Sequence, residues 1–265
     1  MSAPIHTTGR KLSSMQRPVL ILIVLCVLPL FSACSILSPP ALRFETDGAQ
    51  EELRRLNQLN HEVTSFKGIG SVTTTEDGET RRFRLAWAGD APNLLRLEIM
   101  AAATPVESIA YDGTRLRLRS HMGSHKPYVK KVEDPSLASA TGIPLALSEI
   151  HALLSGKIMV GPFESARLHA LPEEGARALV LRLDRRHTKT IDIDPRGLPT
   201  RTTLSKGGDE VYDLHLSPTA DPDGTNRFRT ITLTTAKGVK ATIRIDRAFV
   251  NPAVDRTMFT LETPQ

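Results

Sequence analysis

The sequence predicts a mainly β protein with a few α-helices, built as a strongly curved antiparallel sheet that holds the helices in its concavity. Three observations lead to that class. From Phe66 onward apolar residues recur at every second position, the signature of strands buried on one face. Turn signals, among them Asp77-Gly78, Asp112-Gly113, Lys206-Gly207-Gly208 and Lys237-Gly238, separate the runs. Only three helical segments stand beside them, too few to cover a flat sheet of that width, so the sheet must curl.

Residues 1–33 read as a secretion signal. Arg10, Lys11 and Arg17 precede an apolar run from Val19 to Phe31, and the small residues Ser32 and Ala33 stand directly before Cys34. A helix of about 13 residues rises only about 20 Å, short of the roughly 30 Å hydrocarbon core of a bilayer, and Pro29 opposes its continuation. Phe31-Ser32-Ala33-Cys34 resembles the bacterial lipobox, with Phe where Leu is usual, so Cys34 is the expected lipidation site. An uncleaved N-terminal anchor would leave the same orientation, with the rest of the chain in an extracytoplasmic compartment. Residues 34–46 are expected to be the lipidated cysteine and a tether, extended at Pro39-Pro40. Ser35 resembles the outer-membrane sorting class of lipid-modified chains, which implies attachment at the periplasmic face of the outer membrane. Residues 47–265 form the folded domain.

Asp47, with Gln50 three residues on, starts a helix whose Leu53, Leu56, Leu59 and Val63 share one face. Strands follow. Phe83, Leu85 and Trp87 alternate with Arg82, Arg84 and Ala86; Leu95, Leu97 and Ile99 with Arg96 and Glu98; Leu116 and Leu118 with Arg115, Arg117 and Arg119. Gly89-Asp90-Ala91-Pro92 reads as the turn that ends the Trp87 strand. Between Glu133 and Gly156 the alternation stops, and the residues predict one short helix from Pro135 and a second from about Ser148 that Gly156 ends. Strands then resume around Leu179–Leu183, Ile191–Ile193, Tyr212–Leu216, Ile231–Leu233 and Ala241–Ile245.

Composition excludes several functions. The chain has 34 Lys and Arg against 29 Asp and Glu, and three of the basic residues belong to the signal while no acid does. The remainder is near charge balance, so no nucleic-acid partner is expected, since phosphate binding needs a concentrated basic excess. Of the two cysteines, Cys26 lies inside the signal and Cys34 is the acylation site, which leaves none for a disulfide, a thiolate metal site or a thiol nucleophile. The eight histidines are scattered, and the nearest pair, His121 and His125, sits in a Gly- and Ser-containing turn with no third ligand. Asp192 and Asp194 alternate with Ile191 and Ile193 as a solvent face would. There is no serine elbow, phosphate-binding loop or zinc-protease helix, so neither an enzyme nor a cofactor is expected. The Arg115, Arg117, Arg119 stripe reads as a solvated face, with anionic headgroups or an acidic partner as the alternative.

The order of elements resembles a known group. Lipobox, leading helix, FKGIGSV strand, Trp87 strand, RLEIM strand with its loop, an interrupting IPLALSEIHALLSG segment and a second set of strands are similar to the LolA/LolB group, the periplasmic carrier and outer-membrane receptor of lipoproteins. The closing VNPAVDRTMFTLETP is similar to the ending of the wider superfamily, in which an Asn-Pro turn leads to a last strand with a buried Phe, here Phe259. The resemblance implies an incomplete, half-open antiparallel β-barrel with a helical lid over an apolar cavity for acyl chains. Under it Phe83, Leu85, Trp87, Leu95, Leu97, Ile99, Leu116 and Leu118 are the cavity-lining candidates, although strand periodicity alone fits a solid core equally well. Receptor members present an exposed leucine to the membrane from the loop between their third and fourth strands. Here that loop, Met100 to Pro105, places Ala103 at about that position, with Met100 as the nearest apolar substitute. Two functions are therefore expected. One is LolB-like binding of the acyl chains of lipoproteins or lipids in trafficking at the outer membrane, with the membrane and a periplasmic carrier protein as partners. The other is a lipid-anchored, non-enzymatic structural or assembly subunit that uses the same fold for protein contacts.

Overall fold

The two runs of alternating sequence become two antiparallel meanders, and the chain joins them edge to edge in one sheet. The structure, a computed structural model, describes residues 42–61, 63–219 and 226–261, so the expected signal, Cys34 and most of the expected tether lie outside the described residues. The first meander runs through β2 (Ser65–Glu76), β3 (Glu79–Asp90), β4 (Leu94–Ala101), β5 (Thr104–Asp112), β6 (Arg115–Ser120) and β7 (Tyr128–Lys131). The second runs through β8 (Ser165–Ala170), β9 (Arg177–Arg182), β10 (His187–Ile193), β11 (Pro199–Lys206), β12 (Asp209–Pro218), β13 (Phe228–Thr235) and β14 (Lys240–Val250). The last strand of the second pairs with the first strand of the first, from Lys240 opposite Thr75 to Val250 opposite Phe66. A 14-stranded open sheet results, and its free edges are β7 and a two-residue β1 (Arg43–Phe44). β1 falls inside the expected tether and pairs with β8 in parallel, while all the other pairings of the described strands are antiparallel.

Three helices lie among the described residues: α1 (Ala49–His61), α2 (Ala138–Thr141) and α3 (Leu147–Leu154). α1 buries Ala49, Leu53 and Leu56 in a cluster with Leu179, Leu181, Ile191 and Ile193 of the second meander. α2 ends at Gly142, whose φ of 70° is the left-handed conformation glycine adopts without strain. At the start of α3 the Glu149 carboxylate reaches back to accept the Ala146 backbone N–H at 3.2 Å. The apolar face of α3 is divided. Leu153 packs with the second-meander cluster, Leu147 and Leu154 pack with the first, and Ile150 touches both. One helix meets the apolar face of both halves only if the sheet curls around it, which is the curvature the sequence predicts. The described residues from Leu42 onward make one compact unit. No helix among the described residues is long and apolar enough to cross a membrane.

Three local expectations change. Gly89 lies inside β3, not in a turn: a Cβ there would come within 2.2 Å of the Phe66 ring, so glycine is needed to let that ring lie over the strand. The expected loop from Met100 to Pro105 shrinks to a two-residue turn, because β4 continues to Ala101 and β5 begins at Thr104. The strand expected after Asn251-Pro252 is instead a 3-10 turn, Arg256–Phe259, whose Phe259 is buried. β14 already has β13 on one side and β2 on the other, so no edge is left there for a further strand to join. The segment lies over β4, where the Arg96 guanidinium donates to the Met258 carbonyl at 2.7 Å.

Candidate functional site

Register decides which side chains share the concave face. Trp87 stands opposite Gly68 on one side and Leu97 on the other, Leu97 opposite Ile109, Ile109 opposite Leu118, and Leu118 opposite Tyr128. At the β2–β4 end of this row the side chains close on one another. Leu85, Trp87, Leu95 and Leu97 are buried in the first-meander cluster with Phe66 and Leu154. Towards the β7 edge they part, and a cavity of about 740 Å³ opens between β4–β7 and the segment carrying α2. Ile99, Ile109, Leu116, Leu118, Val132 and Leu137 supply its apolar wall. Glu107, His125, Lys126, Tyr128 and Lys130 supply polar groups to its lining.

The eight cavity candidates thus fall in different places. Ile99, Leu116 and Leu118 border the 740 Å³ cavity; Leu85, Leu95 and Leu97 are packed in the cluster; Phe83 is half-buried towards the β2–β3 hairpin. Trp87 is buried, also borders a second cavity of about 480 Å³ beside the closing segment, and its Nε1 has no acceptor among the described residues. Of the membrane-loop candidates, Met100 is half-buried and Ala103 is exposed in the two-residue turn. Met122 in the β6–β7 loop, at the same end of the sheet, is more prominent, at 70% exposed.

The polar groups of the cavity are not equivalent. His125 Nε2 lies 2.9 Å from Glu107 Oε1, and its Nδ1 lies 2.8 Å from the Lys126 carbonyl. That carbonyl and the Glu107 carboxylate hold the imidazolium above its ordinary range. His121 goes elsewhere: its Nε2 is 2.7 Å from Ser108 Oγ, which donates to Glu98 Oε2 at 2.5 Å. This Ser, His and Glu group does not form a relay, because the carboxylate meets the hydroxyl and not the ring, and Ser108 is 1% exposed. Among the described residues no three His, Cys, Asp or Glu gather as a metal site.

A second polar group was not anticipated. Glu149 of α3 accepts from Lys189 Nζ at 2.8 Å and from the Tyr212 hydroxyl at 2.9 Å, and Lys189 also donates to the Met159 carbonyl at 3.2 Å. Lys189 and Tyr212 are buried, and burial followed by the Glu149 charge pushes the Tyr212 hydroxyl up. The signal was present in the chain: Lys189 has the parity of Ile191 and Ile193, so it had to face inward with them. On the other side of α3, His151 stacks edge-on against Phe66 with ring centres 4.8 Å apart, and burial brings its imidazole down to about 4. The network is closely packed, with about 10 Å³ of free space beside it, so it serves to hold α3 in the concavity.

No protein-family model and no curated protein matches the chain. Solved structures do. A LolA superfamily protein from Nitrosomonas europaea superposes with a TM-score of 0.58 at 16% identity, over 80% of this chain and 97% of that one. A DUF1329 family protein from Desulfovibrio piger superposes with a TM-score of 0.56 at 11% identity, over 84% of this chain and 98% of that one. The chain has a LolA-like fold, divergent in sequence from the solved structures that share it.

Proposed function

We propose that the chain is an outer-membrane lipoprotein, anchored through Cys34 on the periplasmic face, whose concave cavity binds an acyl chain in lipoprotein or lipid trafficking. The observation that carries this reading is the 740 Å³ cavity with six apolar wall residues on the concave side of a LolA-like sheet. Its size lies within the roughly 300–1,000 Å³ range of small-molecule sites. Burial would supply about 0.8 kcal/mol per methylene, so chain length and cavity shape would set selectivity. In this reading α2 and its flanking segment are the lid, because Leu137 and Thr141 close the cavity above Leu116 and Leu118. Function requires no catalysis, and a periplasmic carrier would deliver or receive the cargo.

The test is native mass spectrometry of residues 35–265 purified without detergent, followed by titration with a fluorescent fatty acid. Leu118→Trp, which narrows the cavity at its apolar wall, should weaken probe binding while far-UV circular dichroism stays unchanged. A folded wild-type domain that carries no lipid and takes up no probe would sink the reading.

One observation favours the second function. Leu85, Trp87, Leu95 and Leu97 form a solid cluster, so much of the concave face is filled and serves stability. A structural or assembly subunit would use that rigidity to present its surface to an envelope protein, and a stable co-purifying partner in place of lipid would identify it.

A further inference from the structure

The charged lining of the 740 Å³ cavity is unbalanced. Glu107 is its one acidic residue, and His125 occupies that carboxylate. Lys126 and Lys130 line the same cavity and form no ion pair with a described residue. The placement of Lys130 follows from register. On β7, Tyr128 lies opposite Leu118 and Lys130 opposite Leu116, so these two share the concave side with the cavity wall, whereas Val129 and Lys131 have the other parity. An inward-pointing lysine on the free edge β7 also deters pairing with another strand, but Lys126 lines the cavity from outside that strand, so edge protection alone does not account for the pair.

Uncompensated cations beside an apolar wall raise the local concentration of anions, because the low-dielectric side concentrates the field. We propose that the cavity takes a single acyl chain ending in an anionic head, a carboxylate or a phosphate, with the head at Lys126 and Lys130 and the tail against Ile109, Leu116 and Leu118. The inference rests on the acyl-binding reading and narrows it. An acylated protein N-terminus joins its chains through amide, ester and thioether groups and carries no anion beside them. The cargo is therefore an anionic lipid in transit, not the anchor of another lipoprotein. Two exposed ion pairs, each of modest strength, favour the charged head about tenfold over an uncharged one, and salt weakens that preference by screening.

Residues 35–265 would be titrated, below the micellar concentration of each ligand, with oleate, oleoyl lysophosphatidate and the uncharged monoolein, in competition with a fluorescent acyl probe. Wild type should bind the anionic ligands about tenfold more tightly than monoolein at low salt. The double variant Lys126→Gln, Lys130→Gln, altered only at exposed positions, should bind all three alike, with monoolein affinity unchanged. A preference for one anion over the other would support the proposal and name the source of the head. Binding of monoolein as tightly as both anionic ligands by wild type, or a preference that survives in the double variant, would overturn the anionic head and leave chain binding standing. Binding of none of the three would remove the acyl-binding reading together with the inference.

Discussion

Lys189 shows how one residue couples the helix to the sheet. Its strand parity sends an ammonium group into the concavity, where Glu149 and the Met159 carbonyl receive it. A buried ion pair adds little over an apolar pair of the same shape, but breaking one leaves an uncompensated charge. Glu149→Ala should therefore destabilise the domain by about 3–5 kcal/mol, since Lys189 is only 6% exposed. Adding Lys189→Met should restore most of that loss, because no orphan charge remains. Urea midpoints of the single and double variants decide the matter, and a single variant that costs under about 1 kcal/mol would show that solvent or rearrangement compensates the lysine. Trp87 was legible as inward-facing from alternation alone, whereas the absence of a described acceptor for its Nε1 depends on neighbours that no local pattern encodes.

The elements themselves were legible wherever periodicity and turn chemistry agreed, as in the hairpins at Asp77-Gly78 and Asp112-Gly113. They were obscure where tertiary contact overrode the local signal. Gly89 looks like a turn residue but serves the Phe66 ring, and a third of the apolar cavity wall, Val132 and Leu137, comes from a segment without alternation. α3 was placed from its sequence, yet its pinning on both sides was not. His151, on its Phe66 side, makes the pinning sensitive to pH. Burial lowers its folded-state value to about 4, while an unfolded histidine titrates near 6.5. The unfolded chain therefore binds the proton first. Stability should be unaffected by this group above about pH 6.5, fall as pH drops towards about 4, and level off below, with a total loss of about 3 kcal/mol. His151→Phe, which keeps an aromatic ring against Phe66, should flatten the profile in that window. The lowered carboxylates Asp112 and Asp184, each brought to about 2, act at more acidic pH and would leave their own slope in both proteins. Equal slopes between pH 6.5 and 4 in wild type and variant would mean that His151 is not the group responsible.

At the scale of the whole molecule, a curled open sheet could fail at the seam between its two meanders. Each half has its own apolar cluster, and hydrogen bonds alone along β14 and β2 would let the halves unfold separately. Ile150, Ile243 and Ile245 prevent this, since they pack against both clusters and sit on α3 and on the seam strand β14. Loss of one cluster then strips contacts from the other, and the domain should unfold in a single transition. The chain offers a direct test, because its one tryptophan, Trp87, lies in the first-meander cluster only. Tryptophan fluorescence follows that half, while far-UV circular dichroism follows the strands of both. The two urea profiles should coincide in the wild-type domain. Ile150→Ala removes the link through α3 and should separate them in addition to lowering stability by about 1–2 kcal/mol, less than a fully buried isoleucine would cost because Ile150 is half-buried. Separate transitions already in the wild type would make each meander a folding unit of its own and move the source of cohesion from α3 to the seam. Coincident transitions that persist in Ile150→Ala would assign the coupling to β14 and β2 alone, with α3 serving only to fill the concavity.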